Sequence, residues 1–174
     1  MLKEVVAPNI DLLDEVKAYL RVTDTNSDNT INLHIASSIE YAQKYTNRQF
    51  GVATFELSIE SLENGFKLPK NPVQSIEKIE YMDEDGVYKT LDSSLYYLYE
   101  EYGIGTIFLK EPISLNISHK YAIRITFIAG YDDIPPAIRS WISYKVMTLF
   151  DDRETIVSKF AHNILDQYRI RPLS

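Results

Sequence analysis

The chain has 174 residues, a formal net charge of −7 and no cysteine. The lack of cysteine excludes a disulfide framework, a thiolate nucleophile and a zinc–sulfur site, and the acidic balance disfavours general attraction to nucleic acid. No segment has the length and apolar character of a membrane span or of an N-terminal signal, so we expect one soluble domain over residues 1–174.

Two helices are predicted within residues 11–47. Asp11 precedes the first helix, whose apolar residues recur at helical spacing up to about Arg21. The second helix ends near Asn47, and Leu33 lies on the side opposite its apolar stripe, which makes this leucine a contact candidate. The residues of that stripe are Ile31, Ile35, Ile39, Ala42 and Tyr45.

The segment between these helices begins like a calcium-binding loop, with Asp24, Asn26 and Asp28 at alternate positions. The sixth position of such a loop requires glycine and the twelfth a bidentate glutamate, but this chain has Asn29 and Ile35 there. We therefore expect Asp24 and Asp28 to cap the second helix rather than to bind a metal.

Residues 52–128 are predicted to form an antiparallel β region. Apolar and polar residues alternate from Val52 onward, and Asn64-Gly65 and residues 83–86 have the composition of turns. The other predicted strands span residues 66–68, 73–82, 87–91, 95–99, 104–109 and 121–127.

A change of period after Phe127 predicts that the last strand leads directly into a helix. Gly130 permits a chain reversal, and Pro135 and Pro136 suit the first turn of a helix, so these three residues are predicted to be architectural. Helical structure is expected over residues 135–165, with Lys145 inside the apolar arc. That arc consists of Ile138, Trp141, Ile142, Val146 and Leu149.

The sequence after this helix, residues 167–174, is predicted to be a flexible arm that is either a short tail or a segment that orders on a partner. The predicted order of elements gives the fold class: α+β, with an N-terminal helix pair, an inserted antiparallel β region and a long C-terminal helix with a flexible tail.

No catalytic, cofactor-binding or metal-binding residues are predicted. The sequence contains no nucleophile elbow, no glycine-rich phosphate loop and no helical histidine pair. A small soluble enzyme or ligand-binding α+β domain remains an alternative; a deep pocket with His119 or His162 beside a carboxylate would support it. A nucleic-acid-binding module is a third option, disfavoured by the charge.

Four segments in this order resemble the head–tail connector (head-completion adaptor) proteins of long-tailed bacteriophages and prophages. The segments are VKAYLR at 16–21, YTNRQF at 45–50, LPKNPVQSI at 68–76 leading to YMDEDG at 81–86, and AGY at 129–131 leading through Pro135-Pro136 to residues 149–154. The long β region departs from smaller family members, which are mostly helical there.

The resemblance implies a structural protein of the virion neck, present in the host cytoplasm during assembly. It implies a ring, commonly dodecameric, that binds the portal protein and a neck or tail-completion protein. DNA would pass through the ring without sequence-specific binding, and no membrane would be involved. The interface candidates are Leu33, Tyr41, Arg48, Trp141, Lys145, Gln167, Tyr168, Arg169 and Arg171.

Overall fold

The computed structural model describes residues 1–112, 120–151 and 159–170. It contains helices and antiparallel sheets, so the predicted α+β class is confirmed. The chain divides into two compact units, which we call the β unit (Met1–Pro8 and Val52–Gly130) and the helical unit (Asn9–Gly51 and Tyr131–Ser174). The predicted single domain over 1–174 stays a prediction.

The β unit contains a five-stranded and a three-stranded antiparallel sheet, with strand orders β1-β2-β8-β4-β5 and β3-β7-β6. The strands are β1 (Leu2–Val6), β2 (Ala53–Ile59), β3 (Phe66–Lys67), β4 (Val73–Met82), β5 (Tyr88–Thr90), β6 (Tyr96–Glu101), β7 (Ile104–Leu109) and β8 (Ile123–Ala129). The sequence pattern did not predict β1, all of whose residues are exposed.

Strand β8 is the centre of the larger sheet because it pairs with β2 on one side and β4 on the other. Its residues Ile123, Ile125 and Phe127 are at most 1% exposed, as the alternation of apolar residues predicts. Phe127 lies opposite Phe55, and the two ring centroids are 5.6 Å apart. Burial of these apolar side chains stabilises the core of the β unit.

The segment before β4 is fixed to β7 by one buried side chain. Asn71 is 5% exposed; its Oδ1 accepts a hydrogen bond from the Gly105 N–H (2.7 Å), and its Nδ2 donates to the Leu68 carbonyl (3.0 Å). A Cβ at Gly105 would lie 2.3 Å from Val73 Cγ2, so only glycine allows this approach.

The helical unit contains α1 (Leu13–Leu20), α2 (Asp28–Thr46), α3 (Pro136–Phe150) and α4 (Lys159–Tyr168). The predicted helical segments 11–47 and 135–165 overlap these helices. The apolar stripe of α2 faces the core as predicted, together with the α3 residues Ile138, Ile142 and Val146. Leu149 was expected on the buried arc of α3 but is 37% exposed.

The predicted aspartate caps of α2 are wrong. Asp24 Oδ1 accepts from the Asn26 N–H (2.9 Å) within the preceding loop, and the residue at the N-cap position is Ser27. Asp28 lies in the first turn of α2, where Oδ1 is 2.6 Å from Lys17 Nζ. This half-buried ion pair connects α1 to the start of α2 and places a negative charge at the positive end of the helix dipole.

Gly130, Pro135 and Pro136 lie at the transition from β8 to α3. Gly130 has φ +124°, a region that side chains disfavour, and its N–H donates to the Pro72 carbonyl (2.8 Å). Pro135 occupies the N-cap position of α3 and Pro136 its first turn, so the helix begins one residue later than predicted.

Candidate protein interface

The C-terminal ends of α2 and α4 meet in the helical unit, and we call this contact the α2–α4 junction. Tyr45 Oη donates a hydrogen bond of 2.6 Å to Asp166 Oδ1. Arg48 Nε donates to the Tyr168 carbonyl (2.5 Å), and the Ile170 N–H donates to the Thr46 carbonyl (2.8 Å). These bonds hold residues 166–170 on α2.

The predicted arm is therefore wrong for its first two residues, which are helical. Gln167 and Tyr168 belong to α4 rather than to an extended segment, and Arg169 and Ile170 follow directly. The Tyr168 carbonyl is paired with Arg48, just after α2, and the Ile170 N–H with Thr46 at its end; local sequence patterns cannot reveal such distant contacts. Arg171 and the remainder of the predicted arm lie outside the described residues.

An aromatic stack extends from this junction into the core. The Tyr41 ring lies 5.8 Å from that of Trp141 and 6.1 Å from that of Tyr45, with interplanar angles of 12° for both pairs. The Arg169 guanidinium lies 5.1 Å from the centroid of the Tyr45 ring, within the range of a cation–π interaction. Charged and aromatic groups thus reinforce the hydrogen bonds of the junction.

The hydrogen bond to Asp166 is the main cause that raises the pKa of the Tyr45 phenol above its ordinary value, and burial and the negative charge of Asp166 add to it. Deprotonation would remove the donor and place two negative charges side by side. Tyr45 therefore stays protonated at neutral pH and donates to the carboxylate.

The junction and the aromatic stack together contain five of the interface candidates. Tyr41 is 42% exposed and Arg169 is also exposed, whereas Arg48 and Tyr168 are half-buried. Trp141 is only 1% exposed, so it belongs to the core and is not a surface contact of this chain. Its size and apolar character account for this placement, since the α3 arc faces the core.

The other candidates lie apart from this stack. Leu33 is 67% exposed on α2, about 12 Å before Tyr41 along the helix axis at 1.5 Å per residue. Lys145 on α3 is half-buried and has no ion pair within the described part of the chain. Gln167 is exposed on α4.

Sequence reasoning missed a second aromatic surface, in the β unit, which we call the β6 face. It consists of Tyr97, Tyr99 and Glu101 on β6, Phe108 on β7 and Tyr102 in the turn between the strands. The count of 13 tyrosines and the alternation of aromatic residues from Tyr97 to Tyr99 were visible signals of it.

The described residues provide little support for a metal or enzymatic site. Among them, no group of three or more histidine, aspartate or glutamate side chains could hold a metal ion. One pocket of about 130 Å³ in the helical unit is lined by Asp11, Asp132, Asp133 and Arg139, among others, and none of its residues is a histidine. His119 and the His162 side chain lie outside the described residues, so the alternative of an enzyme stays a prediction.

None of the described helices is long and apolar enough to cross a membrane.

Comparisons with known proteins concern both the family and the fold. A family model described as "Phage gp6-like head-tail connector protein" matches residues 10–86. A comparison with curated proteins gives no match.

Three solved structures share the fold of nearly the whole chain, and each alignment covers 99% of this chain and 97% of the other. One is from the "Virion of native gene transfer agent (GTA) particle", with 17% identity and a TM-score of 0.82. The second is from the "Neck of empty GTA particle computed with C6 symmetry", with 16% identity and a TM-score of 0.80. The third is from the "Neck of native GTA particle computed with C12 symmetry", with 17% identity and a TM-score of 0.78.

Three of the four segments that carry the resemblance lie within the matched residues. They are VKAYLR, YTNRQF, and LPKNPVQSI with YMDEDG. The resemblance of this chain to the phage head–tail connector family is therefore confirmed over residues 10–86.

Proposed function

We propose that this chain is a structural protein of a virion neck, where copies of it form a ring between the portal and the tail. The observation that carries the proposal is the match of residues 10–86 to the connector family. The similarity in fold to chains from neck structures over 99% of the chain supports it, since the β unit and the helical unit both have counterparts there.

The proposed ring has twelve copies, the symmetry named for one of the similar neck structures. A ring with cyclic symmetry is a closed head-to-tail assembly, in which one surface of each copy contacts a different surface of the next. The exposed candidates at different positions of the helical unit suit such contacts. They are Leu33, Tyr41, Gln167 and Arg169.

The ring extends the DNA channel of the portal and provides a docking surface for a neck or tail-completion protein. A net charge of −7 favours passage of DNA without adhesion, because phosphate binding requires neutralising lysine and arginine side chains. This role requires no catalysis, and we propose that the protein is not an enzyme. It would act in the virion neck after assembly in the host cytoplasm.

The test is to mix the protein with its portal ring and to measure the mass of the complex by light scattering and its symmetry by negative-stain electron microscopy. We expect twelve copies on each portal. A protein that stays monomeric and does not bind the portal at high concentration would contradict the proposal.

A matched pair of variants tests the role of the α2 surface. Leu33→Asp should reduce ring formation because it places a charge in an apolar contact, whereas Asn32→Asp at the neighbouring exposed position should have little effect. Both variants should keep the thermal midpoint of the parent, because neither side chain is buried. Equal assembly of the two variants would exclude Leu33 from the interface.

A further inference from the structure

The side chains of β6 alternate between the core and the surface. Tyr96 and Leu98 pack in the core of the β unit. Tyr97 and Tyr99 point the other way and are 47% and 49% exposed, and Glu101 follows on the same side of the strand. Two half-exposed tyrosines and a carboxylate in one row have the composition of a protein-contact surface, because tyrosine combines a large apolar ring with a polar hydroxyl group.

The aromatic rings of the β6 face form an ordered platform. Phe108 lies opposite Tyr97 in the sheet, and their rings are stacked with centroids 5.6 Å apart. The Tyr99 ring meets the Phe108 ring edge-on at 6.1 Å, and Tyr102 in the adjoining turn is 83% exposed. Rings fixed in this way lose little conformational entropy when they bind a partner.

Strand β6 is also an edge of its sheet. Within the described part of the chain it pairs only with β7. An edge strand presents a row of backbone N–H and C=O groups without partners, and an extended peptide can pair with them as an additional strand. The backbone therefore favours an extended protein segment as the ligand.

The charges at this edge indicate which side chains the segment carries. Glu100 and Glu101 are exposed, and neither forms an ion pair within the described residues. Carboxylates repel phosphate groups, which disfavours nucleic acid, but they attract cations, and tyrosine rings bind guanidinium groups on their faces. The same pairing occurs within the chain, where the Arg124 guanidinium lies 4.1 Å from the centroid of the Tyr88 ring.

We infer that the β6 face binds an extended segment of a protein partner that adds to the edge of β6 and presents arginine side chains to Tyr97, Tyr99 and Glu101. This site is separate from the ring contacts proposed for the helical unit. It can be tested on the isolated chain before any ring forms.

The test is a titration of the isotope-labelled protein with a synthetic peptide in which arginine and valine alternate, followed by NMR. We expect saturable shifts of the amide signals of β6 and β7, with an affinity that falls as salt is added. The double variant Tyr97→Ala/Tyr99→Ala should weaken binding about tenfold or more, and Glu101→Gln should weaken it severalfold.

Two controls make the result decisive. Tyr19→Ala removes a tyrosine of equal exposure (47%) from the helical unit and should leave the affinity unchanged. A peptide with glutamate in place of arginine should not bind. Equal binding of the two peptides, or shifts confined to residues outside 96–109, would overturn the inference. Preferential binding of a single-stranded oligonucleotide would overturn it as well, and so would wild-type affinity in the folded double variant. A failure of the protein to form rings would leave these results unaffected.

Discussion

The β unit and the helical unit keep their last elements in place by different means. In the β unit, β8 lies between two neighbouring strands, and its apolar side chains pack in the core of that unit. In the helical unit, the end of α4 is held on α2 by the polar contacts of the α2–α4 junction. The difference indicates that loss of a β8 side chain should destabilise the β unit as a whole, whereas loss of a junction contact should mainly loosen the chain end.

The largest loss of stability is expected for Phe127→Ala, which leaves a cavity beside the central strand of the larger sheet. Phe127 is 0% exposed, and truncation of such a side chain costs about 3–5 kcal/mol of unfolding free energy. Chemical denaturation measures this loss. The matched control is Ile128→Ala on the opposite side of the strand, where the half-buried side chain should cost less. Equal losses for the two variants would contradict the central position of β8.

A somewhat smaller loss of unfolding free energy is expected for Gly130→Val, because a φ of +124° is unfavourable for a residue with a branched Cβ. A backbone strain of this kind costs about 1–3 kcal/mol. Gly86→Ala serves as the comparison and should lose less stability: its φ of +77° also disfavours a side chain, but the turn is exposed and an added Cβ meets no atom within 4 Å. If Gly130→Val had the same thermal midpoint as the parent, the proposed architectural role of this glycine would be contradicted.

Two truncations test whether the junction contacts stabilise the helical unit. Deletion of residues 167–174 removes the acceptor of Arg48 and the donor to the Thr46 carbonyl, and it should destabilise the protein by about 1–3 kcal/mol more than deletion of 171–174. Hydrogen exchange should show the difference in α2 and α4 and leave β8 protected. Identical stabilities would mean that the junction contacts contribute nothing in solution.

The smallest expected effect on stability comes from the protonation state of Tyr45. The pKa of Tyr45 is raised in the folded state. The hydrogen bond to Asp166 therefore contributes fully to the free energy of unfolding at pH values below the ordinary tyrosine pKa, and this contribution is lost as the pH rises through the raised pKa. We expect Asp166→Asn to lower the pKa of Tyr45, which NMR of labelled tyrosine rings can follow. An unchanged pKa in this variant would exclude Asp166 as its cause.

The parts that the sequence predicted well are those whose boundaries are set by local chemistry. Strand β4 spans Val73–Met82 as predicted, because Pro72 precedes it and the turn residues 83–86 follow it. The core side of α2 was predicted from its apolar spacing. The interface candidate Leu33 was likewise predicted to lie on the opposite side and is exposed there.

The parts that were missed depend on contacts between distant residues. Strand β1 has exposed residues throughout and forms because β2 pairs with it. The α2–α4 junction joins Tyr45 to Asp166, which are 121 positions apart, and the helical segment predicted over residues 135–165 ended just before Asp166. The β6 face was overlooked because a row of tyrosines on a strand is compatible with ordinary strand propensity.

The proposed function predicts a single clear phenotype for a phage or prophage from which the gene for this chain has been deleted. Electron microscopy of the lysate should show heads filled with DNA and separate tails, with joined particles restored when the gene is supplied on a plasmid. Normal numbers of tailed, infectious particles in the deletion strain would contradict the proposed role in the neck.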